Sequence, residues 1–361
     1  MSLEALKQTI AREIGTPALV VDLDVVERNI ARLQAQCDAA GVKNRPHIKT
    51  HKSVRLARLQ MAAGAAGITC QKLGEAEIMA DAGIDDIFIS YNLLGEEKIG
   101  RLGKLLQRVN VSVAADNPTV VEALSNAGWI AGRNLPVLVE CDTGRKRAGV
   151  ETPGEAIALA RQIALTQGLS FAGLMFYAPE NAVEATNRFH DEVKAALDAE
   201  GIRIKRVSTG GSPNLINLGR TPAATEHRSG TSIFNDRMQI AAGVARQEDC
   251  ALTVYATVVS RAGAERGILD AGSKVFTSDT GWKLDGYGSI LEHPEARVSQ
   301  FAEEHGFLDL SRCNDRPKVG DIVRVIPNHV CVTVNVVGEL VLVRAGAIDE
   351  VVKVEARGLV R

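Results

Sequence analysis

The sequence predicts an α/β fold in two parts: a (β/α)8 barrel of TIM type over residues 1–240 and a mostly antiparallel β domain over residues 241–361. Three observations predict it. Short apolar runs alternate with helical patterns from Thr16 to about Ile240, which is typical of βαβ units and a parallel sheet. About eight strands fit into that stretch, close to the size of such a barrel. Beyond it, helical periodicity gives way to strands separated by turn residues.

The predicted barrel begins with ALVVDL at 18–23, a short run rich in β-branched residues. An amphipathic helix follows and ends at Gly41, with an apolar face of Val26, Ile30, Leu33 and Cys37. The further predicted strands are PHIKT (46–50), GITC (67–70), DIFIS (86–90), VNVSVA (109–114), LPVLVEC (135–141), LSFAGLMF (169–176) and IKRVST (204–209). A doubly wound open sheet is the alternative. It lacks a GxGxxG motif after its first strand, so its dinucleotide-binding form loses its main support.

The predicted β domain contains the runs ALTVYATVVS (251–260), RGILDAG (266–272), DIVRVIPN (321–328) and ELVLVRAGAI (339–348). About the first 15 residues of the chain are a further candidate to pack with it. No low-complexity linker separates the two parts, so we expect two domains that pack together with a site between them.

Composition and charge limit the function classes. The 361 residues include 42 Lys and Arg against 44 Asp and Glu, a net charge of −2, which argues against general nucleic-acid binding. We find no apolar run long enough to span a membrane and no signal-peptide core. The six cysteines are scattered without a CxxC pair, as in a reducing compartment. These features predict a cytoplasmic enzyme with no nucleic-acid or membrane partner.

The segment RPHIKTHK, residues 45–52, concentrates two His, two Lys and one Arg. It falls at the carboxyl end of the second predicted barrel strand, where barrel active sites lie. Strand alternation would point His47 and Lys49 the same way, into the barrel. A lysine among other cations is a candidate nucleophilic amine. The alternative is a basic surface loop.

The segment STGGSP, residues 208–213, follows the last predicted barrel strand. Its glycines and hydroxyl side chains would let backbone N–H groups converge on a phosphate, as loops after the last barrel strands often do. An ordinary connection explains a GG turn about as well. An amine at one end of the barrel and a phosphate loop at another together favour pyridoxal phosphate, whose aldehyde and phosphate need both.

The segment PNHVC places His329 and Cys331 two residues apart on a predicted strand, and hence on one face. Imidazole plus thiolate suits Zn²⁺, and two protein ligands would leave positions for water or substrate. A buried cysteine beside a hydrogen-bonded histidine is the alternative interpretation.

Together these segments resemble the fold-type III pyridoxal-phosphate enzymes of the D-serine dehydratase and D-threonine aldolase family, which have an alanine racemase-like barrel. The resemblance covers nearly the whole chain and runs through TPALVVDLD, RPHIKTHK, CQKLGEAE, VECDTGRKRAGV, STGGSPN, EHRSGTSIFND, LDAGSK and PNHVCVTVN. RPHIKTHK and PNHVC are the specific motifs among them.

The resemblance implies roles for individual residues. The family's catalytic lysine, which bonds to pyridoxal phosphate, falls on Lys49, and its metal-binding pair falls on His329 and Cys331. The other cofactor-binding residues that it implies are Gln71, Arg147, Tyr177, Ser208, Thr209, Gly210 and Gly211. His51 and Asp279 are weaker candidates. The resemblance also implies a homodimer that acts on a small D-amino acid.

The family divides at the metal motif. Aldolase members typically have His-Cys-Asp with the aspartate as second ligand, and dehydratase members have His-x-Cys, as here. A thiolate selects zinc over magnesium or manganese, although another divalent metal is compatible. The resemblance therefore favours a dehydratase that converts D-serine or D-threo-3-hydroxyaspartate to a 2-oxo acid and ammonia. The alternatives are a D-threonine-type aldolase that yields glycine and an aldehyde, an amino-acid racemase with Tyr255 as second base, and a non-catalytic carrier of the cofactor.

The chain departs from the family pattern at two places. Val332 replaces the proline that usually follows the second metal ligand, and APEN, after Tyr177, lacks the usual glycine- and histidine-containing loop. Because that loop faces the substrate in the family, the departure bears on substrate choice.

Overall fold

The computed structural model describes residues 1–281 and 284–361. Contacts divide the chain into two compact units that interleave in sequence. The barrel unit comprises residues 32–49, 56–230 and 359–361, and the sheet unit comprises residues 1–31, 50–55 and 231–358.

The helices occur from Leu3 to Val336. They are α1 (Leu3–Glu13), α2 (Leu23–Ala39), α3 (Val54–Ala62), α4 (Leu73–Asp81), α5 (Glu96–Arg108), α6 (Pro118–Ala131), α7 (Pro153–Leu165), α8 (Val183–Ala199), α9 (Arg237–Ala241) and α10 (Val330–Val336). Short 3-10 turns lie at Ile48–Thr50, Pro213–Asn217, Thr231–Ile233 and Gln247–Asp249. Within the described ranges, none of these helices combines the length and apolar character that crossing a membrane requires.

The strands follow the same numbering by chain order. They are β1 (Ala18–Asp22), β2 (Lys43–Asn44), β3 (Ile68–Cys70), β4 (Asp86–Ile89), β5 (Asn110–Ala115), β6 (Leu135–Cys141), β7 (Leu169–Phe176), β8 (Arg206–Gly210), β9 (Glu226–Arg228), β10 (Leu252–Ser260), β11 (Arg266–Leu269), β12 (Gly288–Ile290), β13 (Arg297–Phe301), β14 (Gly306–Asp309), β15 (Ile322–Pro327), β16 (Glu339–Arg344) and β17 (Ala347–Lys353).

The barrel unit contains a sheet of eight parallel strands in the order β2-β9-β8-β7-β6-β5-β4-β3. Its two ends meet, because His47, just beyond β2, forms a parallel bridge with Thr69 of β3, and the Thr69 N–H donates to the Pro46 carbonyl over 2.8 Å. The predicted TIM-type barrel is therefore confirmed, with helices following most of its strands.

One predicted strand lies outside the barrel sheet, and one barrel strand was not predicted. ALVVDL forms β1 of the other sheet, where Leu19 pairs with Val254 of β10 and Val21 with Leu342 of β16. A short run that is apolar on both faces fits the interior of either kind of sheet, so its pattern does not select its partners. The eighth barrel strand is instead β9, a polar stretch that periodicity did not indicate.

Local sequence explains where the barrel helices begin. Asn117 accepts a hydrogen bond from the Val120 N–H over 3.0 Å at the start of α6, and Thr152 forms a capping box with Glu155 at the start of α7. Each cap is followed by a proline at the first helical position, where no N–H is needed. These caps end the loops after β5 and β6 abruptly and so fix their lengths.

The barrel interior holds apolar and charged layers. Phe88, Ala114, Leu138, Ala172 and Met175 form an apolar cluster. A polar network centres on the buried carboxylate of Glu226 in β9, which accepts hydrogen bonds from Arg45 Nε (2.8 Å), Arg206 (2.8 Å) and Ser208 (2.6 Å). Burial opposes its charge, but Arg45 and Arg206 lower the pKa of Glu226 to about 2. This pairing explains why a polar strand can be buried.

The sheet unit contains a nine-stranded, mostly antiparallel sheet in the order β11-β14-β13-β12-β15-β10-β1-β16-β17. The predicted β domain is thereby confirmed as a fold, with β1 added to it. Its apolar core under α1 comprises Leu6, Ile10, Ala18, Val20, Tyr255, Ile322, Val341 and Val343.

The PNHVC segment differs from the predicted strand. β15 ends at Pro327, His329 is the last extended residue, and Cys331 lies in the first turn of α10. The Asp236 carboxylate accepts a hydrogen bond from the Val330 N–H over 3.1 Å and so caps α10. The β-branched run VCVTVNV favours a strand by propensity, and this tertiary contact overrides that preference.

Candidate active site

Lys49 lies in the 3-10 turn Ile48–Thr50, directly after the bridge at His47. The turn replaces the strand that the sequence predicted, so alternation does not align the two side chains. His47 is buried instead, and its Nδ1 faces the Lys49 N–H at 3.4 Å. Burial, with the positive charges of Lys49 and Arg228, lowers the pKa of His47 well below its ordinary value. The imidazole beside Lys49 is therefore neutral.

Gln71 lies against this imidazole. Its Oε1 is 3.1 Å from His47 Nε2, and its amide nitrogen donates to the Ser90 carbonyl over 3.3 Å. The Gln71 backbone N–H donates to Glu75 over 2.7 Å. The His47–Gln71 pair is thus held by hydrogen bonds on both sides. Motif reading missed Ser90, whose hydroxyl also lies 3.4 Å from His47 Nε2.

Arg147 and Tyr177 lie together. The guanidinium groups of Arg145 and Arg147 each lie 4.6 Å from the centre of the Tyr177 ring. Arg145 is occupied by an ion pair with Glu180 at 3.0 Å. Arg147 is half-exposed and approaches the buried Glu140 carboxylate at 3.7 Å. Of the two guanidinium groups, that of Arg147 is thus the more exposed and the more loosely paired.

One carboxylate holds the loop that carries Arg147. Asp142 accepts hydrogen bonds from the backbone N–H groups of Gly144 (2.8 Å), Arg145 (2.6 Å) and Lys146 (2.6 Å). Lys146 has a φ of 58°, in the left-handed region that non-glycine residues seldom adopt. The three hydrogen bonds hold this turn and so set the direction in which Arg147 leaves it.

The predicted phosphate loop has two different ends. The Ser208 hydroxyl is fully buried, donates to Glu226 over 2.6 Å and accepts from Arg228 over 2.5 Å. The Thr209 hydroxyl lies 3.0 Å from His227 Nδ1. Both hydroxyl groups thus have protein partners, and a contribution of Ser208 or Thr209 to phosphate binding stays a prediction.

The glycines of the same loop lie where side chains would not fit. A Cβ at Gly210 would come within 2.9 Å of the Arg228 guanidinium, and one at Gly211 within 3.0 Å of the Tyr177 ring. Gly211 also has a φ of 106°. Because neither residue has a side chain, the loop backbone comes close to the Arg228 guanidinium and the Tyr177 ring. This close approach fits a cradle for a phosphate.

The candidate metal ligands lie in the sheet unit. His329 Nδ1 is 2.5 Å from Asp279 Oδ2, which leaves Nε2 for a metal. Burial alone would lower the pKa of His329, but the hydrogen bond and charge of Cys331, with Asp279, raise that pKa to about 10. Carboxylates often orient metal-binding histidines in this way. Asp279, a weaker candidate from the sequence, thus contacts a candidate ligand.

The donor set fits a metal held by two protein side chains. Within the described ranges, no group of three or more His, Cys, Asp and Glu residues could hold a metal ion. An imidazole and a thiol remain, and they suit zinc if water or substrate completes its coordination.

His51, a weaker site candidate, and Tyr255, the candidate second base of a racemase, are both buried in the sheet unit. The fully buried His51 accepts a hydrogen bond from the Ser53 N–H over 3.1 Å, and its ring packs edge-on against Phe234. Tyr255 is 3% exposed in the apolar cluster under α1, and burial raises its pKa to about 12. A buried phenol with a raised pKa is poorly suited to act as the second base of a racemase.

A parallel eight-stranded barrel in the same chain as a mostly antiparallel sheet is the architecture of a class: the pyridoxal-phosphate enzymes built on an alanine racemase barrel. The family model for the alanine racemase N-terminal domain matches residues 21–238, more than half of the chain. A model for a serine dehydratase domain matches residues 251–343, which contain both candidate metal ligands.

Relatives define the family more narrowly. D-threonine aldolase of an Arthrobacter species is 34% identical, covering 96% of this chain and 94% of the relative. The crystal structure of D-threonine aldolase from Filomicrobium marinum has a TM-score of 0.89 at 32% identity, covering 96% of both chains. A metal-free cysteine-to-alanine variant of D-threo-3-hydroxyaspartate dehydratase has a TM-score of 0.85 at 30% identity, covering 94% of this chain and 97% of the other. This chain belongs to the fold-type III pyridoxal-phosphate family of D-serine dehydratases and D-threonine aldolases, whose members are lyases.

Proposed function

We propose that this enzyme is a lyase dependent on pyridoxal phosphate and zinc that dehydrates and deaminates a D-3-hydroxy amino acid. The products are a 2-oxo acid and ammonia, and the favoured substrates are D-serine and D-threo-3-hydroxyaspartate. The observation that carries the proposal is the pairing of His329 with a thiol at Cys331, backed by Asp279 at 2.5 Å from the imidazole. A thiolate favours zinc over harder divalent ions.

The cofactor residues are proposed as follows. Lys49 bonds to the aldehyde, Gln71 and Tyr177 lie beside the ring, and Arg147 faces its phenolic oxygen. The loop Ser208, Thr209, Gly210 and Gly211 receives the phosphate, chiefly through its backbone, since both hydroxyl groups already have partners. Arg228, whose guanidinium lies beside Gly210, adds positive charge that suits a phosphate.

The proposed chemistry divides between the ligands and the chain. When bound, pyridoxal phosphate withdraws electrons from the α-carbon of the amino acid, and zinc polarises a coordinated oxygen. Lys49 Nζ takes the α-proton, because an amine freed from the aldehyde is a general base. His47 beside it is neutral and a weak base, because its pKa is lowered, so it adds no positive charge next to the amine. The β-hydroxyl leaves as water with the proton that Lys49 has taken, and hydrolysis of the released enamine gives the 2-oxo acid and ammonia.

Aldol cleavage is the second candidate, and specific observations favour it. Two of the relatives described above are D-threonine aldolases, at 34% and 32% identity. Dehydration breaks the Cα–H and Cβ–O bonds, whereas aldol cleavage breaks Cα–Cβ after the hydroxyl loses its proton. The same lysine and metal pair could serve either reaction. Cys331 tips the proposal toward dehydration.

Product analysis separates these candidates. The purified enzyme, supplied with pyridoxal phosphate and zinc, is given D-serine, D-threonine and D-threo-3-hydroxyaspartate. Ammonia with the matching 2-oxo acid, lost on chelation and in Lys49→Ala, supports the dehydratase. Glycine plus an aldehyde overturns it in favour of the aldolase. Conversion to the L-isomer, unaffected by chelation, would indicate a racemase, and no conversion of any substrate would leave the cofactor carrier.

The cytoplasmic location and the homodimer stay predictions. The dimer is testable directly, because light scattering in solution gives the mass of the particle. A value near twice the 38.6 kDa of one chain supports it, and a value near the single-chain mass overturns it.

A further inference from the structure

Thr50 has no role in the proposed function, yet it contacts a candidate metal ligand. Its side chain is fully buried, and its hydroxyl oxygen lies 3.2 Å from Cys331 Sγ. A second hydroxyl, that of Thr231, lies farther from the same sulfur, at 3.8 Å. Both threonines belong to the sheet unit, as Cys331 does. The Cys331 thiol therefore has two hydroxyl neighbours, a close and fully buried one on Thr50 and a more distant one on Thr231.

Metal binding would fix the direction of the shorter contact. While the thiol carries its proton, either the S–H or the O–H group can donate. A thiolate that binds a metal has no proton, so only the Thr50 hydroxyl can then donate. Hydrogen bonds to a charged acceptor are stronger than neutral ones. Because Thr50 is fully buried, water does not compete for its hydroxyl.

Thr50 is also held in place before any metal binds. It ends the 3-10 turn Ile48–Thr50, and threonine, being β-branched, has few χ1 choices. The other candidate ligand has a comparable partner, since Asp279 lies 2.5 Å from His329 Nδ1. Each ligand would then be oriented by one neighbour, a carboxylate for the imidazole and a hydroxyl for the thiolate.

We propose that Thr50 is a positioning residue for the metal site: its hydroxyl donates a hydrogen bond to the Cys331 thiolate and aims the sulfur at the ion. The inference rests on the proposed metal site and deepens it. It also means that one turn of the chain carries both the proposed cofactor lysine, Lys49, and the proposed partner of the metal thiolate.

The test is the zinc affinity of the full-length enzyme loaded with pyridoxal phosphate, measured by competition with a chromophoric chelator. Thr50→Val keeps the side-chain shape and removes the hydroxyl. We expect it to weaken zinc binding by about 10- to 100-fold, the usual effect of losing an outer-shell partner. Thr50→Ser, which keeps the hydroxyl, should stay close to wild type. Thr231→Val is the matched control and should change affinity much less.

A second readout does not depend on affinity. Cobalt(II) in place of zinc gives a sulfur-to-metal charge-transfer band, which reports on the Cys331 thiolate itself. We expect Thr50→Val to shift this band, because a hydrogen bond withdraws electron density from sulfur, and Thr231→Val to leave it in place. Thermal unfolding of each variant monitors folding. If Thr50→Val does not fold, the comparison of Thr50→Ala with Thr50→Ser takes its place.

The outcomes separate this inference from the proposed function. If wild type binds zinc, if Cys331→Ala and His329→Ala abolish binding, and if Thr50→Val equals wild type in affinity and band position, the role of Thr50 is overturned while the metal site stands. If wild type does not bind zinc, or binds it without His329 and Cys331, the metal site itself is wrong. An equal loss in Thr50→Val and Thr231→Val would also overturn the specific role of Thr50.

Discussion

The histidines of the two units have opposite surroundings. His47, in the barrel unit, is buried with an amide and a hydroxyl as partners, and the cations Lys49 and Arg228 help to lower its pKa. His329, in the sheet unit, is paired with a carboxylate and a thiol, and its pKa rises to about 10. The surroundings thus favour the neutral form of histidine in the barrel unit and its protonated form in the sheet unit.

The charges in each unit suit the ligand proposed for it. The barrel region gathers Lys49, Arg147 and Arg228, which suits an anionic cofactor that carries a phosphate. The region around His329 gathers a thiol with Asp279 and Asp236, which suits a cation. The two regions therefore have opposite electrostatic character.

The largest effect is expected for Lys49→Ala. Loss of the proposed base should lower kcat by about 10²–10⁴-fold, and the visible absorbance of lysine-bound pyridoxal phosphate should disappear. Steady-state kinetics and a spectrum of the purified protein measure both. Lys43→Ala, an exposed lysine in β2, is the control and should leave both unchanged. An active Lys49→Ala enzyme would contradict the proposed cofactor site in the barrel unit.

Cys331→Ala should abolish stoichiometric zinc binding and reduce turnover by roughly 10³-fold, since Lewis-acid stabilisation is worth several kcal/mol. Elemental analysis of the dialysed protein measures the metal. Cys250→Ala is the matched control, because burial raises the pKa of Cys250 and keeps it a thiol. Retained zinc in Cys331→Ala would assign the metal to other residues.

Asp279→Asn tests the partner of the imidazole. The amide cannot accept a hydrogen bond from His329 with the strength of a carboxylate, so zinc affinity should fall by about 10- to 100-fold. The cofactor spectrum, which reports on the barrel unit, should not change. Asp285→Asn, which removes a surface ion pair with Arg297, should leave zinc affinity at the wild-type value. Equal affinities for both variants would contradict the orienting role of Asp279.

Gly211→Ala tests the cradle in the barrel. Its φ of 106° disfavours alanine, and the added Cβ would come within 3.0 Å of Tyr177. We expect unfolding to become easier by about 1–3 kcal/mol and pyridoxal-phosphate affinity to fall about tenfold, or ~1.4 kcal/mol.

Gly219→Ala is the matched control for the cradle. It has similar backbone strain, with a φ of 81°, but its nearest new neighbour is Ala40 at 3.7 Å. It should therefore lose stability without losing cofactor affinity. A similar loss of affinity in both variants would show that Gly211 acts through stability alone.

The repeating part of the fold was predictable from sequence, because alternating apolar runs and helical faces are local signals. β3 to β8 fall on predicted strands for that reason. β9 was not predicted because its buried charge is balanced by Arg45 and Arg206, which lie outside its local sequence. The helix around Cys331 was not predicted because it is capped by Asp236, which is distant in sequence.

The candidate site was predictable only where a motif carries it. Lys49, Arg147 and Tyr177 follow from matched segments, but the residues that position them do not. Thr50 and Cys331 are separated by 281 positions, and no local pattern joins them. The neutral state of His47 likewise depends on burial and on Arg228, which only the folded chain brings near.

The smallest effect concerns proton uptake by the barrel. Burial and the charge of Arg228 lower the pKa of His227 from 6.5 to about 4. Below pH 6.5 the unfolded chain binds a proton at this residue that the folded chain does not, so stability falls as pH decreases from 6.5 toward 4. Between pH 7 and pH 5 the loss from this residue is about 2 kcal/mol.

His227→Asn isolates this contribution. Urea unfolding of wild type and variant is measured at pH 7 and pH 5, and the change in unfolding free energy is compared between them. All other titrating groups are common to both proteins, so the variant should lose less stability on acidification by about 2 kcal/mol. Its absolute stability is also lower, because His227 contacts Thr209 and the Gly211 carbonyl, and that offset does not enter the comparison. Equal pH dependence would mean that His227 takes up its proton in the folded barrel, and that the barrel's cations do not keep its histidines neutral.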